Sequence, residues 1–306
     1  MSERILSVGG NKASRPISDF LLSNEYWGPK GGTYYVDLNV AANGTGSPDH
    51  PFSTVAAAIT ASNSSIGSST NRWWARRNRI FVCGDGIDED LTVLPEKCDI
   101  IGCGSDLVPY PRIIGHHTIA VAKVGCRFIN MGFTLDGTGV GITIPAGCHG
   151  FQILGGHMQP SNAGNTVGIQ ITDSALVRIE GFDLYQSPAT YGTGICAVGI
   201  AIAGTASNHQ TVIKGCYINA TEGIDVVESA PAYDSRIEDC IIHAVLLTID
   251  DNSDQFAVIN NRLITDADTG TSTVGYDFNL KLAAGNIQTG SGGETDTVPF
   301  ALIAEG

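Results

Sequence analysis

The chain has 306 residues, of which 38 are glycine and 42% are hydrophobic, and its formal net charge is −14. The glycines follow no strict triplet and apolar residues are frequent, which excludes a collagen-like or disordered chain. An acidic surface repels phosphate backbones, so we expect no nucleic-acid partner. No apolar run approaches the roughly 20 residues needed to cross a bilayer, so we expect no membrane partner either.

Residues 1–32 contain none of the repeats found farther along the chain and predict an extended N-terminal arm. Residues 1–11 show no apolar stretch and no signal-peptide cleavage site, so we expect synthesis in the cytoplasm. An Ala-rich segment then predicts a short helix at about residues 52–62, with Ser53 as its N-cap. We expect this helix to cover the open strand edge at the start of the next domain.

A short phrase with alternating apolar residues recurs through the second half of the chain, two to three dozen residues apart. Its copies are Val140–Ile144, Val167–Ile171, Val198–Ile202 and Glu222–Val226, with looser versions at Val245–Ile249 and Val274–Phe278. This alternation is typical of a strand with one buried face. Recurrence without an intervening helix-period segment indicates a solenoid of stacked strands.

A second phrase lies between the copies of the first and contains a residue that tolerates a left-handed backbone. Its copies are Ile179–Leu184, Ile213–Ile218, Ile237–Ile242 and Ile259–Ile264, with weaker versions beginning at Ile129 and Ile153. The third residue is Gly181, Gly215, Asp239 or Asn261, which predicts a strand, a one-residue bend and a second strand.

Together the two phrases supply three strands per repeat and predict an all-β, right-handed parallel β-helix at residues 33–284. Residues 285–306 would close the last coil or contact a neighbouring subunit. A β-sandwich is the competing architecture, but it requires hairpin turns every 8–12 residues, and the repeat here is longer.

Two segments near the start of this domain resemble the entry module of pectin-lyase-like right-handed β-helix proteins. One is the run Tyr34–Asn39 followed by Asn43–Ile59, which contains Pro51-Phe-Ser-Thr; the other is Arg79–Asp85 followed by Glu89-Asp-Leu. The leading arm is also similar to that of bacteriophage tailspike, fibre and capsid-decoration proteins. The resemblance implies the fold, whereas function must be argued from a site, because this fold supports several activities.

In enzymes of the pectin-lyase-like family, the chemistry lies on the outward row of one sheet. The first phrase predicts this row here: Thr143, Gln170, Ala201, Asp225, Thr248 and Asp277. Asp225 then has no acidic neighbour on the adjacent coils, which disfavours a pair of carboxylates for glycoside hydrolysis. If the protein is an enzyme, the candidate catalytic residues are Asp225, Glu228 and Asp250. Arg236 and Arg262 are the candidate bases of a lyase, although a surface ion pair explains them as well.

The small outward residues Thr143, Gln170, Ala201 and Thr248 suit a subunit interface, and a homotrimer is the natural symmetric use of such a face. Tyr185, Tyr191 and His157, near the predicted loops at 155–166 and 185–197, are candidates for stacking on glycans.

The eight cysteines form no paired CxxC motif, and most lie in apolar runs. We therefore expect buried, reduced thiols, with no metal and no cofactor.

The leading hypothesis is a non-enzymatic bacteriophage structural protein located in the virion: a trimeric spike, fibre or capsid-decorating protein. Its arm would bind other virion proteins, and its β-helix would contact host polysaccharide. The alternative is a tailspike depolymerase, either a glycoside hydrolase or a polysaccharide lyase. A bacterial polysaccharide lyase is a third hypothesis, disfavoured by the missing signal peptide.

Overall fold

The computed structural model describes the backbone of most of the chain. The described residues are 6–8, 11–13, 31–66, 77–84, 86–104, 111–161, 165–185, 195–205, 208–226, 234–251, 256–265, 276–278, 283–284, 287–290 and 295–297. Most of the N-terminal arm and of the C-terminal tail lies outside them. Within the arm, Leu6–Val8 pairs with Asn11–Ala13 in antiparallel orientation.

The predicted right-handed parallel β-helix is confirmed: successive coils stack so that each strand pairs in parallel with the equivalent strand of the next coil. Three sheets result. The first sheet contains His117–Thr118, Gly139–Ile144, Asn165–Thr172, Cys196–Ala203, the ends of Tyr217–Val226 and Ile241–Asp251, and Tyr276–Phe278.

The second sheet precedes the bend of each coil and the third sheet follows it. The second contains Thr33–Asp37, Asn78–Cys83, Cys98–Gly102, the starts of Arg127–Leu135 and Gln152–Pro160, Arg178–Glu180, Val212–Lys214, Ser235–Glu238, Phe256–Ile259 and Ala283–Ala284. The third contains Ile87–Asp88, Arg112–Ile114, the ends of Arg127–Leu135 and Gln152–Pro160, Asp183–Leu184, the starts of Tyr217–Val226 and Ile241–Asp251, Arg262–Thr265 and Ile287–Gly290, which pairs antiparallel with Thr295–Thr297.

Aliphatic side chains fill the interior in rows that run from coil to coil. Ile142, Ile169, Ile200 and Ile224 stand in register on the first sheet, and each is at most 1% exposed. Full burial of such a side chain stabilises the fold by roughly 1.5–3 kcal/mol. Because every coil repeats these contacts, stability accumulates along the stack.

The glycine of the first phrase is required by a close approach between coils. A Cβ built on Gly199 would lie 2.5 Å from the carbonyl oxygen of Gly223 and 2.6 Å from Cγ2 of Ile218. The equivalent position on Gly168 would lie 2.6 Å from the oxygen of Gly199. No side chain fits at that distance, which explains why the phrase reads Val-Gly-Ile.

The bend between the second and third sheets is a row of residues with left-handed backbone. Its members are Asn130 (φ 53°), Gly155 (66°), Gly181 (61°), Gly215 (60°), Asp239 (57°) and Asn260 (56°). The predictions for Gly181, Gly215 and Asp239 were correct, whereas Asn260 rather than Asn261 makes the bend before Arg262–Thr265. Asn261 is instead buried, where its side chain accepts from the Cys240 amide (2.9 Å) and donates to the Ile237 carbonyl (3.0 Å).

The predicted helix spans Val55–Ile66 and packs its buried face on the first coil. Thr54 rather than Ser53 is the N-cap, because Thr54 Oγ1 accepts from the Ala57 amide at 3.2 Å. Glu89 reaches this end from the third sheet and accepts from the Val55 and Ala56 amides, at 2.9 and 2.7 Å. A carboxylate is favourable at a helix N-terminus, so Glu89 fixes the helix to the coil that it covers.

One carboxylate on the outer face of the second sheet is almost fully enclosed by arginines. Asp99 is 4% exposed. It accepts from Arg127 Nε and Nη2 at 2.7 and 2.6 Å and from Arg77 Nε at 2.7 Å. Burial alone raises the pKa of Asp99, but the hydrogen bonds from Arg127 and Arg77 outweigh it, so the net pKa is lowered.

Candidate functional site

The outward row of the first sheet contains the residues predicted as candidate catalytic and subunit-interface positions. Register places Thr118, Thr143, Gln170, Ala201, Asp225, Asp250 and Asp277 side by side on consecutive coils. Thr143 and Gln170 are half-buried and Ala201 is 8% exposed. Neutral residues therefore occupy the row until Asp225, where it becomes acidic.

The prediction that Thr248 neighbours Asp225 was wrong. The register between the two strands shifts between Ala220 and Glu222, so that Leu247 pairs with Glu222 and Asp250 pairs with Asp225. The observed pairing of Asp225 differs from the predicted one by two residues, which keeps the alternation of faces, so the apolar pattern alone did not reveal it. Thr248 consequently does not belong to the proposed interface row.

The corrected register gives Asp225 an acidic neighbour on each following coil. Consecutive coils are about 4.8 Å apart at the backbone. Asp225 is half-buried and takes part in at least one hydrogen bond or electrostatic interaction. The third predicted acid, Glu228, lies outside the described residues.

The two candidate lyase bases do not belong to this row. Arg236 lies on the second sheet, where its Nε is 3.5 Å from Oε1 of Glu238. Arg262 is exposed on the third sheet. On the parts of the first sheet whose side chains are described, no arginine or lysine stands in the outward row.

A second cluster of polar and aromatic residues lies on the outer face of the third sheet. Arg112, Gly132, His157, Asp183 and Tyr217 are in register on five consecutive coils. Gly132 leaves room for its neighbours, since an added Cβ would lie 2.9 Å from both Arg112 Cγ and His157 Cε1. Arg112 and His157 therefore approach each other across the glycine. Arg112, Asp183 and Tyr217 were not predicted from the sequence, because their proximity follows from the register between coils.

The glycan-stacking candidates have different environments within this cluster. His157 is 5% exposed, so its ring is not available to stack on a sugar. It instead supports Tyr185, which is half-buried, with ring centroids 5.5 Å apart and planes tilted by 34°. Burial, and secondarily the charge of Arg112, lowers the pKa of His157 to about 4, so the imidazole is neutral at pH 7. Tyr191 lies outside the described residues.

Asp183 and Tyr185 provide the accessible polar groups of the cluster. Asp183 is exposed, and partial desolvation raises the pKa of its carboxyl group. Desolvation also raises the pKa of Tyr185, so its hydroxyl keeps its proton at neutral pH. The cluster thus offers an aromatic face, a carboxylate and a guanidinium on a stretch of four coils, and such groups can contact a sugar ring and its hydroxyls.

The adjacent residues His116 and His117 have different environments. His117 is 1% exposed and edge-on to Phe133 at 5.6 Å, whereas His116 is only half-buried. His117 Nδ1 accepts from the Leu91 amide at 3.1 Å, and burial lowers the pKa of His117 to about 4. Among the described residues, no group of three or more His, Cys, Asp or Glu could hold a metal ion.

No helix among the described residues is long and apolar enough to cross a membrane. Six of the eight cysteines are buried, as predicted, whereas Cys83 is half-buried and Cys103 is exposed.

The coil architecture, with three parallel sheets and a one-residue bend, is that of the pectin-lyase-like β-helix fold. Three solved structures resemble the chain. A rhamnogalacturonan lyase is 10% identical, with 77% of this chain and 74% of that one covered and a TM-score of 0.38. The pectate lyase Pel9A is 12% identical, with 86% and 78% covered and a TM-score of 0.34. ORF18 of Geobacillus virus E2 is 11% identical, with 92% and 66% covered and a TM-score of 0.30.

No protein-family model and no curated protein matches the sequence. At these identities the structural likenesses concern the fold alone.

Proposed function

We propose that the chain is a structural protein of a bacteriophage virion, a β-helix spike, fibre or capsid-decorating protein that displays its outer faces to the host surface. The observation that carries this proposal is the absence of charged residues from the first four positions of the outward row of the first sheet. Thr118, Thr143, Gln170 and Ala201 occupy four consecutive coils at the positions where enzymes of this fold keep acidic and basic groups.

The same neutral row supports a contact between subunits. Thr143, Gln170 and Ala201 are small or uncharged and only partly exposed, so a second chain can pack on them without desolvating charge. A parallel homotrimer uses one such face on each chain. Sedimentation at micromolar concentration tests this assembly: a trimer is expected, and a monomer would remove the proposal for this row.

The cluster around Tyr185 is the proposed contact to host polysaccharide. Tyr185 offers a ring for stacking, supported from behind by His157, while Asp183 and Arg112 can hydrogen-bond sugar hydroxyls. Tyr185→Ala should weaken binding to host polysaccharide by about tenfold or more, whereas Tyr35→Ala, which removes a tyrosine from the second sheet, should leave it unchanged. Equal binding by all three proteins would contradict this assignment.

Deletion of residues 1–32 tests the virion role. If the arm attaches the protein to the particle, the truncated chain should fold with the same circular dichroism spectrum and fail to join particles assembled in its presence. Incorporation at the level of the full-length chain would contradict attachment by the arm. The truncation removes no strand of the stack, which begins at Thr33, and a folding defect would appear separately in the spectrum.

A specific observation also favours a second candidate function, that of a depolymerase for surface polysaccharide. Register aligns Asp225, Asp250 and Asp277 on three consecutive coils, a spacing that suits a pair of carboxylates for glycoside hydrolysis. Incubation with host polysaccharide distinguishes the two functions. New reducing ends or unsaturated sugars, lost in Asp225→Asn but kept in Gln170→Ala, would establish the enzyme; no release would favour the structural role.

A further inference from the structure

Two cysteines on adjacent coils near the start of the stack face each other at the surface. Cys83 is the last residue of its strand, and Val82 pairs in register with Gly102, so Cys83 and Cys103 follow as neighbours. The Cys103 amide donates to the Val82 carbonyl at 2.7 Å, which holds the two chain segments together at this point. The Cys103 thiol donates to the carbonyl oxygen of Ile101, with Sγ 3.8 Å from that oxygen.

The exposure of this pair distinguishes it from the other cysteines. Cys83 is half-buried and Cys103 is exposed, whereas the six others are buried. Cys216 and Cys240 also lie on adjacent coils, but in the interior, at 2% and 1% exposure, and their thiols donate to backbone carbonyls. A solvent-borne oxidant can therefore reach the first pair in the folded protein and not the second.

The spacing is within the range of a disulfide. Neighbouring residues on paired strands are about 4.8 Å apart at Cα, and disulfides join residues whose Cα atoms are roughly 4.4–6.8 Å apart. Cys83 is the last residue of its strand, and Cys103 directly follows the end of its own strand, at Cys98–Gly102.

We propose that Cys83 and Cys103 are a redox modification site, at which a low-molecular-weight disulfide such as oxidised glutathione converts the two thiols into an intramolecular disulfide. The Cys103 thiolate attacks the glutathione disulfide and expels one glutathione thiolate. The Cys83 thiolate then attacks Cys103 Sγ in the mixed disulfide and expels the second glutathione. Two protein S–H bonds are lost, one S–S bond is formed, and the glutathione disulfide takes up the two electrons.

The bond would join the coil that packs on the capping helix to the coil after it. It closes a loop of one coil, and this restriction of the unfolded chain stabilises the N-terminal end, where the stack has an open edge. Burial, with a smaller contribution from Cys83, raises the pKa of Cys103 to about 11. The exchange is therefore expected to be slow at neutral pH and faster at mildly alkaline pH.

The experiment uses the full-length folded protein, incubated with oxidised glutathione at mildly alkaline pH, alkylated, digested without reduction and mapped by mass spectrometry. We expect one linked peptide pair that contains Cys83 and Cys103, and unmodified Cys216 and Cys240. The oxidised form should melt roughly 5 °C higher than the form treated with dithiothreitol. In Cys83→Ser the reaction should stop at glutathione on Cys103, and in the double Ser variant the melting temperature should be insensitive to oxidant.

Three results would overturn the proposal: two free thiols after prolonged exchange, glutathione retained on one cysteine of the wild-type chain, or a disulfide between different chains. If Cys83→Ser folds poorly, Cys103→Ser serves as the second single variant, because Cys103 is exposed. It should retain glutathione on Cys83 without closing a loop.

Discussion

The row of bend residues between the second and third sheets allows the energetic consequence of one backbone angle to be measured. Gly215 has φ +60°, and a Cβ added there would meet no atom within 4 Å. Gly215→Ala therefore introduces no clash, and its effect is that of the left-handed backbone. That conformation costs an L-residue about 1–2 kcal/mol, while the loss of flexibility in the unfolded chain returns about 0.4–1 kcal/mol. We expect Gly215→Ala to destabilise the protein by about 1 kcal/mol.

The measurement is the unfolding midpoint in urea for the wild type, Gly215→Ala and Gly215→Asn. Asn should be less destabilising than Ala, because asparagine populates the left-handed region more readily. The reverse change, Asn260→Gly, should alter stability by only a few tenths of a kcal/mol at a position with φ 56°. Equal midpoints for Ala and Asn, or no loss with Ala, would refute the left-handed corner.

Other predictions concern single buried or capping groups. Asp99→Asn should destabilise the protein by about 2 kcal/mol at neutral pH, because it leaves Arg127 and a second arginine without their carboxylate. This loss should shrink in acid. The pKa of Asp99 is lowered in the folded protein, so the stability that its carboxylate contributes disappears as the pH falls through that pKa. The pKa of His117 is lowered to about 4 in the folded protein, so the protein should lose stability as the pH falls from about 6.5 towards 4, because the unfolded state takes up the proton first. His117→Asn should flatten the dependence of the melting temperature on pH in that window. An unchanged slope would contradict this prediction. Glu89→Ala should destabilise by about 1 kcal/mol in urea unfolding, whereas Asp88→Ala next to it, at an exposed position, should have little effect.

The fold was predictable because its requirements recur in every coil. The phrase around Val167 repeats a strict alternation, and Gly181 and Gly215 stand where only a left-handed residue fits. The errors were local. Asn260 and Asn261 are adjacent and both tolerate a bend, so the sequence did not reveal that Asn260 bends and Asn261 fills the corner with its side chain.

The candidate sites were less predictable because they depend on register between coils. A shift of two residues exchanges Thr248 for Asp250 beside Asp225 while preserving the apolar pattern. The cluster at Arg112, His157 and Tyr185 joins residues of three coils, and none of them belongs to a recurring phrase. The burial of His157 depends on the side chains that pack around it in the folded protein, and these cannot be read from the order of residues in the sequence.

The coil-to-coil register of the first sheet is the central claim, because the neutral row, the aspartates that follow it and both candidate functions depend on it. Nitroxide labels placed by cysteine substitution in a Cys83→Ser, Cys103→Ser background test it directly by continuous-wave electron paramagnetic resonance. Labels in Asp225→Cys with Asp250→Cys should show strong spin–spin broadening, because the positions are neighbours about 4.8 Å apart. Weak broadening for that pair, with strong broadening for Asp225→Cys with Thr248→Cys, would contradict the register.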